Sequence, residues 1–186
     1  EAHAAGVVHR DLKPENIIIG TRRRTADFVK VLDFGIAKLV GAKSDVSQLT
    51  RTGAIFGTPH YIAPEQASGG EVDHRADLYS LGVILFRMVT GRLPFDGTGG
   101  MQVLLAHIRE QPPRPRDFNP HLSVELEDVV LRTLAKDPAA RWQSADDFTA
   151  ALDRVPEVSA PQLPSARATW AGVGAPALAM IESAAR

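Results

Sequence analysis

The sequence predicts a mainly helical α+β domain, and three observations carry that expectation. The run from Asp73 to Thr90 places Leu81, Val83, Ile84, Leu85, Phe86 and Met88 on nearly every side of a helix, the pattern of a helix buried at a domain's centre. Short β-branched segments, Val7-Val8, Ile17-Ile18-Ile19 and Val29-Lys30-Val31-Leu32, surround polar loops near the start and suit small strands. Downstream, apolar residues recur at helical spacing between start and stop signals. With 186 residues the chain can bury one sizeable core but not two ordinary ones, and 44% hydrophobic against 23% charged residues is a globular balance.

Taken in order, Glu1 to Gly6 suits the end of a helix that Gly6 stops. The segment from Asp33 to Glu65 has no period and is rich in Gly, Thr and Ser, a length that goes with function or mobility. Asp73 is placed to cap the central helix, and Gly91 and Pro94 to end it. Thr98 to Glu110 reads as a helix through Val103, Leu104, Ala106, His107 and Ile108, and the run Pro112-Pro113-Arg114-Pro115 predicts an extended connection after it. Ser123 opens a further helix with Glu125, Glu127 and Asp128 in its first turns and Leu126, Val129, Val130 and Leu134 on one face; Lys136 and Pro138 close it. Ser144, with Asp147 three residues on, starts a last helix that turns Phe148, Ala151, Leu152 and Val155 inward and ends at Pro156. The expected organisation is one domain over residues 1–155 and an Ala/Pro-rich tail or linker over 156–186.

Composition narrows the function. A formal net charge of −1 gives no general attraction to nucleic acid or to an anionic membrane, so function is expected in a local site. The longest apolar stretches, Leu81 to Phe86 and Ala171 to Ile181, fall well short of the roughly 18 to 20 residues that span a bilayer. There is no cysteine, hence neither disulfides nor thiolate metal sites, which fits a cytoplasmic setting or the cytoplasmic domain of a membrane-anchored protein. His3, His60, His74, His107 and His121 show no metal-ligand spacing, and Arg22-Arg23-Arg24 reads as a solvated hairpin tip rather than a docking patch. The sequence begins at Glu1 with no apolar leader and is expected to be a piece of something longer.

Three strings carry chemistry, in this order: His9-Arg10-Asp11-Leu12-Lys13-Pro14-Glu15-Asn16, Asp33-Phe34-Gly35, and Gly57-Thr58-Pro59-His60-Tyr61-Ile62-Ala63-Pro64-Glu65. An Asp followed five residues later by Asn suits phosphoryl transfer, which needs a carboxylate to receive a hydroxyl proton and an amide oxygen to help hold Mg²⁺. A bare polar turn would explain Pro14 and Asn16 but not eight matched residues between two apolar segments. The stretch from about His3 to Val155 resembles the C-terminal lobe of a Ser/Thr protein kinase, particularly of the bacterial members, with small β-hairpins around the catalytic loop.

That resemblance implies a role for each matching position. Asp11 would be the base, Lys13 would steady the γ-phosphate, Asn16 and Asp33 would bind Mg²⁺, and Ile18 would touch the adenine of ATP. Thr58 would bridge Asp11 and Lys13, which points to the Ser/Thr rather than the Tyr class. Thr50 and Thr52 resemble activation-loop threonines that accept phosphates, with Arg10 as their guanidinium partner; Ser44 and Ser47 are weaker candidates. His9 would pack against Phe34, Asp77 would anchor the catalytic-loop backbone, and Arg141 would pair with Glu65. Protein substrates bearing Ser or Thr are the implied partners, with another kinase molecule as a further candidate.

The sequence also departs from a complete kinase. No Gly-x-Gly-x-x-Gly loop and no strand lysine precede the catalytic loop, since only eight residues come before His9. The expectation is an enzyme lobe inactive without its N-terminal partner, exposing apolar surface around Ile17, Ile18 and the helix before Gly6. The alternative is a non-catalytic, kinase-like binding or regulatory module.

Overall fold

The computed structural model describes residues 1–22, 25–33 and 59–156; side chains at 21, 22 and 25–27 are outside that description. All described elements lie within the compact unit Glu1–Val155. The chain opens with a single 3₁₀ turn, His3–Ala5, closed by Gly6 at φ 73°. A second 3₁₀ turn, Pro14–Asn16, leads into an antiparallel hairpin of β1 (Ile17–Arg22) and β2 (Thr25–Val31). Ile17 faces Val31 and Ile19 faces Val29 across it. Among the described residues, six helices follow a turn at Pro59–Tyr61: α1 (Pro64–Ser68), α2 (Arg75–Thr90), α3 (Gly100–Arg109), α4 (Pro115–Phe118), α5 (Val124–Thr133) and α6 (Ala145–Leu152). The result is a mainly helical α+β domain with one small hairpin.

Helix α2 is its axis. Tyr79, Val83 and Phe86 are fully buried and pack with Tyr61, Ala63, Val130 and Leu134 into the main core, while Val129, Phe148 and Ala151 form a second cluster between α5 and α6. Leu81, Ile84, Leu85 and Val89 are half-buried, and Met88 is exposed at 64%, so burial around α2 is less complete than its apolar run suggests. Gly82 is what lets α2 and α5 close: a Cβ there would lie 2.7 Å from Thr133 Cγ2. Ala would gain about 1 kcal/mol in helix propensity, but overpacking a tight crossing costs about 1–3 kcal/mol, so contact outweighs propensity.

The helix ends follow local chemistry. Ser123 Oγ accepts from Leu126 N–H at 3.1 Å and Ser144 Oγ from Asp147 N–H at 3.0 Å, each satisfying a donor at a helix start. Gly91 closes α2 at φ 75°, in the left-handed region that a C-terminal cap favours. Asp73 Oδ1 accepts from Arg75 N–H at 2.9 Å at the other end.

Three expectations fail here. Val7-Val8 forms no strand: Val7 N–H bonds back to Ala2 O, and His9 N–H, two residues on, donates to the Asp77 carboxylate, so neither enters a ladder. The segment from Pro112 is extended only as far as Arg114 (ψ 126°), after which Pro115 opens α4; a proline at the first helical position gives up no hydrogen bond. The start of the chain is one 3₁₀ turn rather than an α-helix end.

Candidate active site

The His9–Asn16 loop is held from below by the buried helix α2. Asp77, 3% exposed, accepts from His9 N–H through Oδ2 and from Arg10 N–H through Oδ1, both at 2.8 Å. Oδ2 also takes the His3 Nε2 proton at 2.9 Å. With both backbone donors fixed, Arg10 adopts φ 64°, a left-handed conformation that non-glycine residues hold only when their surroundings impose it. His9 Nε2 lies 2.8 Å from Leu32 O; a carbonyl can only accept, so the ring proton sits on Nε2 and Nδ1 is left to accept Asp11 N–H at 3.3 Å.

Leu32 is gripped twice, because its own N–H donates to Asn16 O at 2.8 Å. The end of β2 is thereby laid against loop 9–16, and Asp33 emerges beside it at φ 49° with its side chain exposed. Asn16 donates Nδ2–H to Asp11 O at 2.8 Å and lies 3.4 Å from Asp11 Oδ2, which leaves its Oδ1 as the atom able to meet a cation. Lys13 Nζ stands 3.0 Å from Asp11 Oδ2, both side chains about one-third exposed and open to a substrate. An amide oxygen and a carboxylate are hard donors that suit Mg²⁺. Among the described residues no three His, Asp or Glu gather as a metal group, so such an ion would need phosphate oxygens to complete its shell.

A second framework fixes helix α1, which follows the third motif. Arg141 is fully buried, and all five of its N–H donors are used: two on Glu65 at 2.8 and 2.7 Å, the others on the carbonyls of Ala135, Arg75 and Lys136. Ser80 Oγ donates to Tyr61 O at 2.7 Å and so binds the preceding turn to α2. Beneath it, Tyr79 donates its hydroxyl to His107 Nδ1 at 2.9 Å. Burial, with the nearby Lys136 charge, takes the His107 imidazole down to about 3 and keeps it neutral. Burial and the Arg141 charge bring the Lys136 amine down to about 8 while it donates to His107 O.

The structure thus brings Arg10, Asp11, Lys13, Asn16 and Asp33 together over Asp77, and sets Glu65 on Arg141. Ile18 lies on β1, 46% exposed. Phe34, Thr50, Thr52 and Thr58 lie outside the described residues, as do Ser44 and Ser47. Two residues that motif reading passes over also enter the site. Gln66 donates Nε2–H to Arg10 O at 2.8 Å and accepts Ala63 N–H at 3.2 Å, and His3 shares Asp77 with the loop. The bonds to Arg10 and to Asp77 have no local signal, since they join residues 56 and 74 positions apart.

Comparison with known proteins gives a consistent answer. A family model described as the protein kinase domain matches residues 2–152. Serine/threonine-protein kinase pkn3 of Myxococcus xanthus is 50% identical over 157 residues, which cover 83% of this chain and 29% of that protein. Pkn1 of the same organism is 53% identical over 151 residues, 81% of this chain and 21% of the relative. PknB of Mycobacterium tuberculosis is 42% identical over 163 residues, 88% and 25% respectively. The chain therefore spans less than a third of the length of these relatives.

The Arg141–Glu65 pair yields a stability prediction. Removing one member of a buried, fully bonded pair strands the other charge, at about 3–5 kcal/mol. Arg141→Ala and Glu65→Gln should each lower the unfolding free energy of this chain by about that amount in urea titrations. A loss below about 1 kcal/mol, the range of solvent-screened pairs, would mean that water already carries the interaction.

Proposed function

The chain belongs to the protein kinase family, in its bacterial Ser/Thr branch, and from that premise we propose that it transfers the γ-phosphate of MgATP to Ser or Thr hydroxyls of proteins, as the catalytic lobe of a longer enzyme. The observation that carries this reading is the Asp11 site: a carboxylate 3.0 Å from Lys13 Nζ, beside Asn16, on a loop clamped by Asp77. Nucleotide and metal would supply the transferable phosphoryl group and neutralise its charge.

In this reading Asp11 accepts the proton of the attacking hydroxyl, with Lys13 Nζ 3.0 Å from its Oδ2. As the hydroxyl oxygen bonds to phosphorus and the bond to the leaving diphosphate breaks, Lys13 steadies charge on the transferring oxygens. Asn16 Oδ1 and the Asp33 carboxylate are the atoms that would hold Mg²⁺. Ile18 is assigned to the lower face of the adenine site, and Thr58 to the link between Asp11 and Lys13. The ATP requirement assigns the domain to the cytoplasm or the cytoplasmic side of a membrane; no helix of the described residues is long and apolar enough to cross one.

We further propose that nucleotide binding depends on an N-terminal lobe. The sequence holds no Gly-x-Gly-x-x-Gly loop, and one face of the hairpin presents Ile19 and Val29, paired across it, at 69% and 54% exposure, an apolar patch suited to such a lobe. The alternative, a kinase-like module that binds without chemistry, predicts no phosphotransfer under any condition.

In a protein joining this chain to an N-terminal lobe, Asp11→Asn should cut turnover by about 10²–10⁴-fold, the usual worth of a general base, with ATP affinity nearly unchanged, whereas Asp33→Ala should weaken Mg²⁺-dependent nucleotide binding as well. Wild-type turnover in Asp11→Asn would remove the base assignment. Mass spectrometry of the active protein should find phosphate on Thr50 or Thr52, for which Arg10 is the assigned partner; full activity with both unmodified would leave them as ordinary loop residues.

A further inference from the structure

We infer that Gln66 is a positioning residue that couples the seating of the segment ending at Ala63 to the orientation of Asp11. The inference rests on the reading of Asp11 as the base. It starts from the peptide between Arg10 and Asp11, whose plane determines where the Asp11 side chain leaves the backbone. Asp77 fixes the N–H groups of His9 and Arg10, which locates the loop but does not set the rotation of the following peptide. The two polar groups of that peptide are the Arg10 carbonyl and the Asp11 N–H. The first accepts from Gln66 Nε2 at 2.8 Å, and the second reaches His9 Nδ1 at 3.3 Å. The short bond in the pair is the one Gln66 makes.

Gln66 is also committed at its other end. Its Oε1 accepts Ala63 N–H at 3.2 Å, where the backbone is still extended (φ −75°, ψ 149°) before α1 begins. An amide offers one acceptor oxygen and one donor nitrogen, so the side chain can satisfy a donor at Ala63 and an acceptor at Arg10 in only one orientation. Its backbone is fixed by the preceding residue, because Glu65 is held bidentately on Arg141. With the base of the side chain immobile, a displacement at Ala63 turns the amide, and turning the amide moves or releases the Arg10 carbonyl. Arg10 holds φ 64° under this clamp, so release lets the backbone relax toward ordinary conformations and takes Asp11 out of line.

The discriminating variant is Gln66→Glu, which keeps the length of the side chain and the acceptor for Ala63 N–H but turns a second acceptor toward the Arg10 carbonyl. Two measurements are made. In the protein joining this chain to an N-terminal lobe, kcat should fall about tenfold to a hundredfold, the scale of a misplaced catalytic group, while KM for ATP stays within about twofold. In this chain alone, hydrogen exchange at the Arg10 and Asp11 amides should speed at least about tenfold, with amides of α2 (Arg75–Thr90) unchanged. Asp11→Asn is the control: if it is active, the base assignment falls, and the exchange arm still decides whether Gln66 holds the loop. Unchanged exchange at Arg10 and Asp11 would overturn the inference, whatever kcat does. So would faster exchange throughout α2, which would make Gln66 a general stabilising residue.

Discussion

Asp77 is a carboxylate buried in the central, mostly apolar helix, and the active-site geometry depends on how its oxygens are bonded. Taking an ionised carboxyl out of water costs several kcal/mol unless strong donors replace the solvent. Here the donors are His9 N–H, Arg10 N–H and the His3 ring. The demand is mutual. The loop supplies what Asp77 needs, and in return its backbone is held where Arg10 can occupy φ 64° and Asp11 follows in a fixed direction. The central helix of the domain thus reaches a loop 67 and 68 residues away in sequence through two hydrogen bonds.

The rest of the lobe keeps that helix in place and brings the third motif to it. Gly82 allows α5 to approach closely, and the Val130 and Leu134 side chains fill the core beside Tyr79 and Phe86. Arg141 uses all its donors inside the domain, so the ion pair with Glu65 carries direction as well as energy: it fixes α1 and with it Gln66. Asp77 and Gln66 therefore approach the same peptide segment from two sides, one from the core and one from the end of the activation segment.

Much of this was legible in the sequence because it is written in local chemistry. Ser123 and Ser144 cap helices within three residues, and Gly6 and Gly91 end elements through a backbone conformation that glycine adopts readily. The central helix stood out by its apolar run. Helices α1 and α4 did not, since four or five residues are too few to show a period; a proline at their start was the available sign. Val7-Val8 misled because β-branching marks a residue fit for a strand, not the presence of a neighbour to pair with. In the site, Asp11, Asn16, Asp33 and Arg141 were marked by motif spacing. Gln66 and His3 were not, because their bonds to Arg10 and Asp77 exist only after distant segments meet.

The central claim is that this lobe assembles the chemistry of phosphoryl transfer but depends on a second lobe to hold the nucleotide. Asn16 and Asp33 offer two protein oxygens to an ion that keeps most of its water unless phosphates bring it in, and the adenine would have one protein face instead of two. Calorimetric titration of the isolated chain with MgATP, compared with the same chain joined to an N-terminal lobe, measures this dependence directly. The account predicts no saturable heat for the isolated chain up to about millimolar nucleotide, and binding at least about a hundredfold tighter, worth about 2.7 kcal/mol, once the lobe is present. Micromolar affinity in the isolated chain would contradict it.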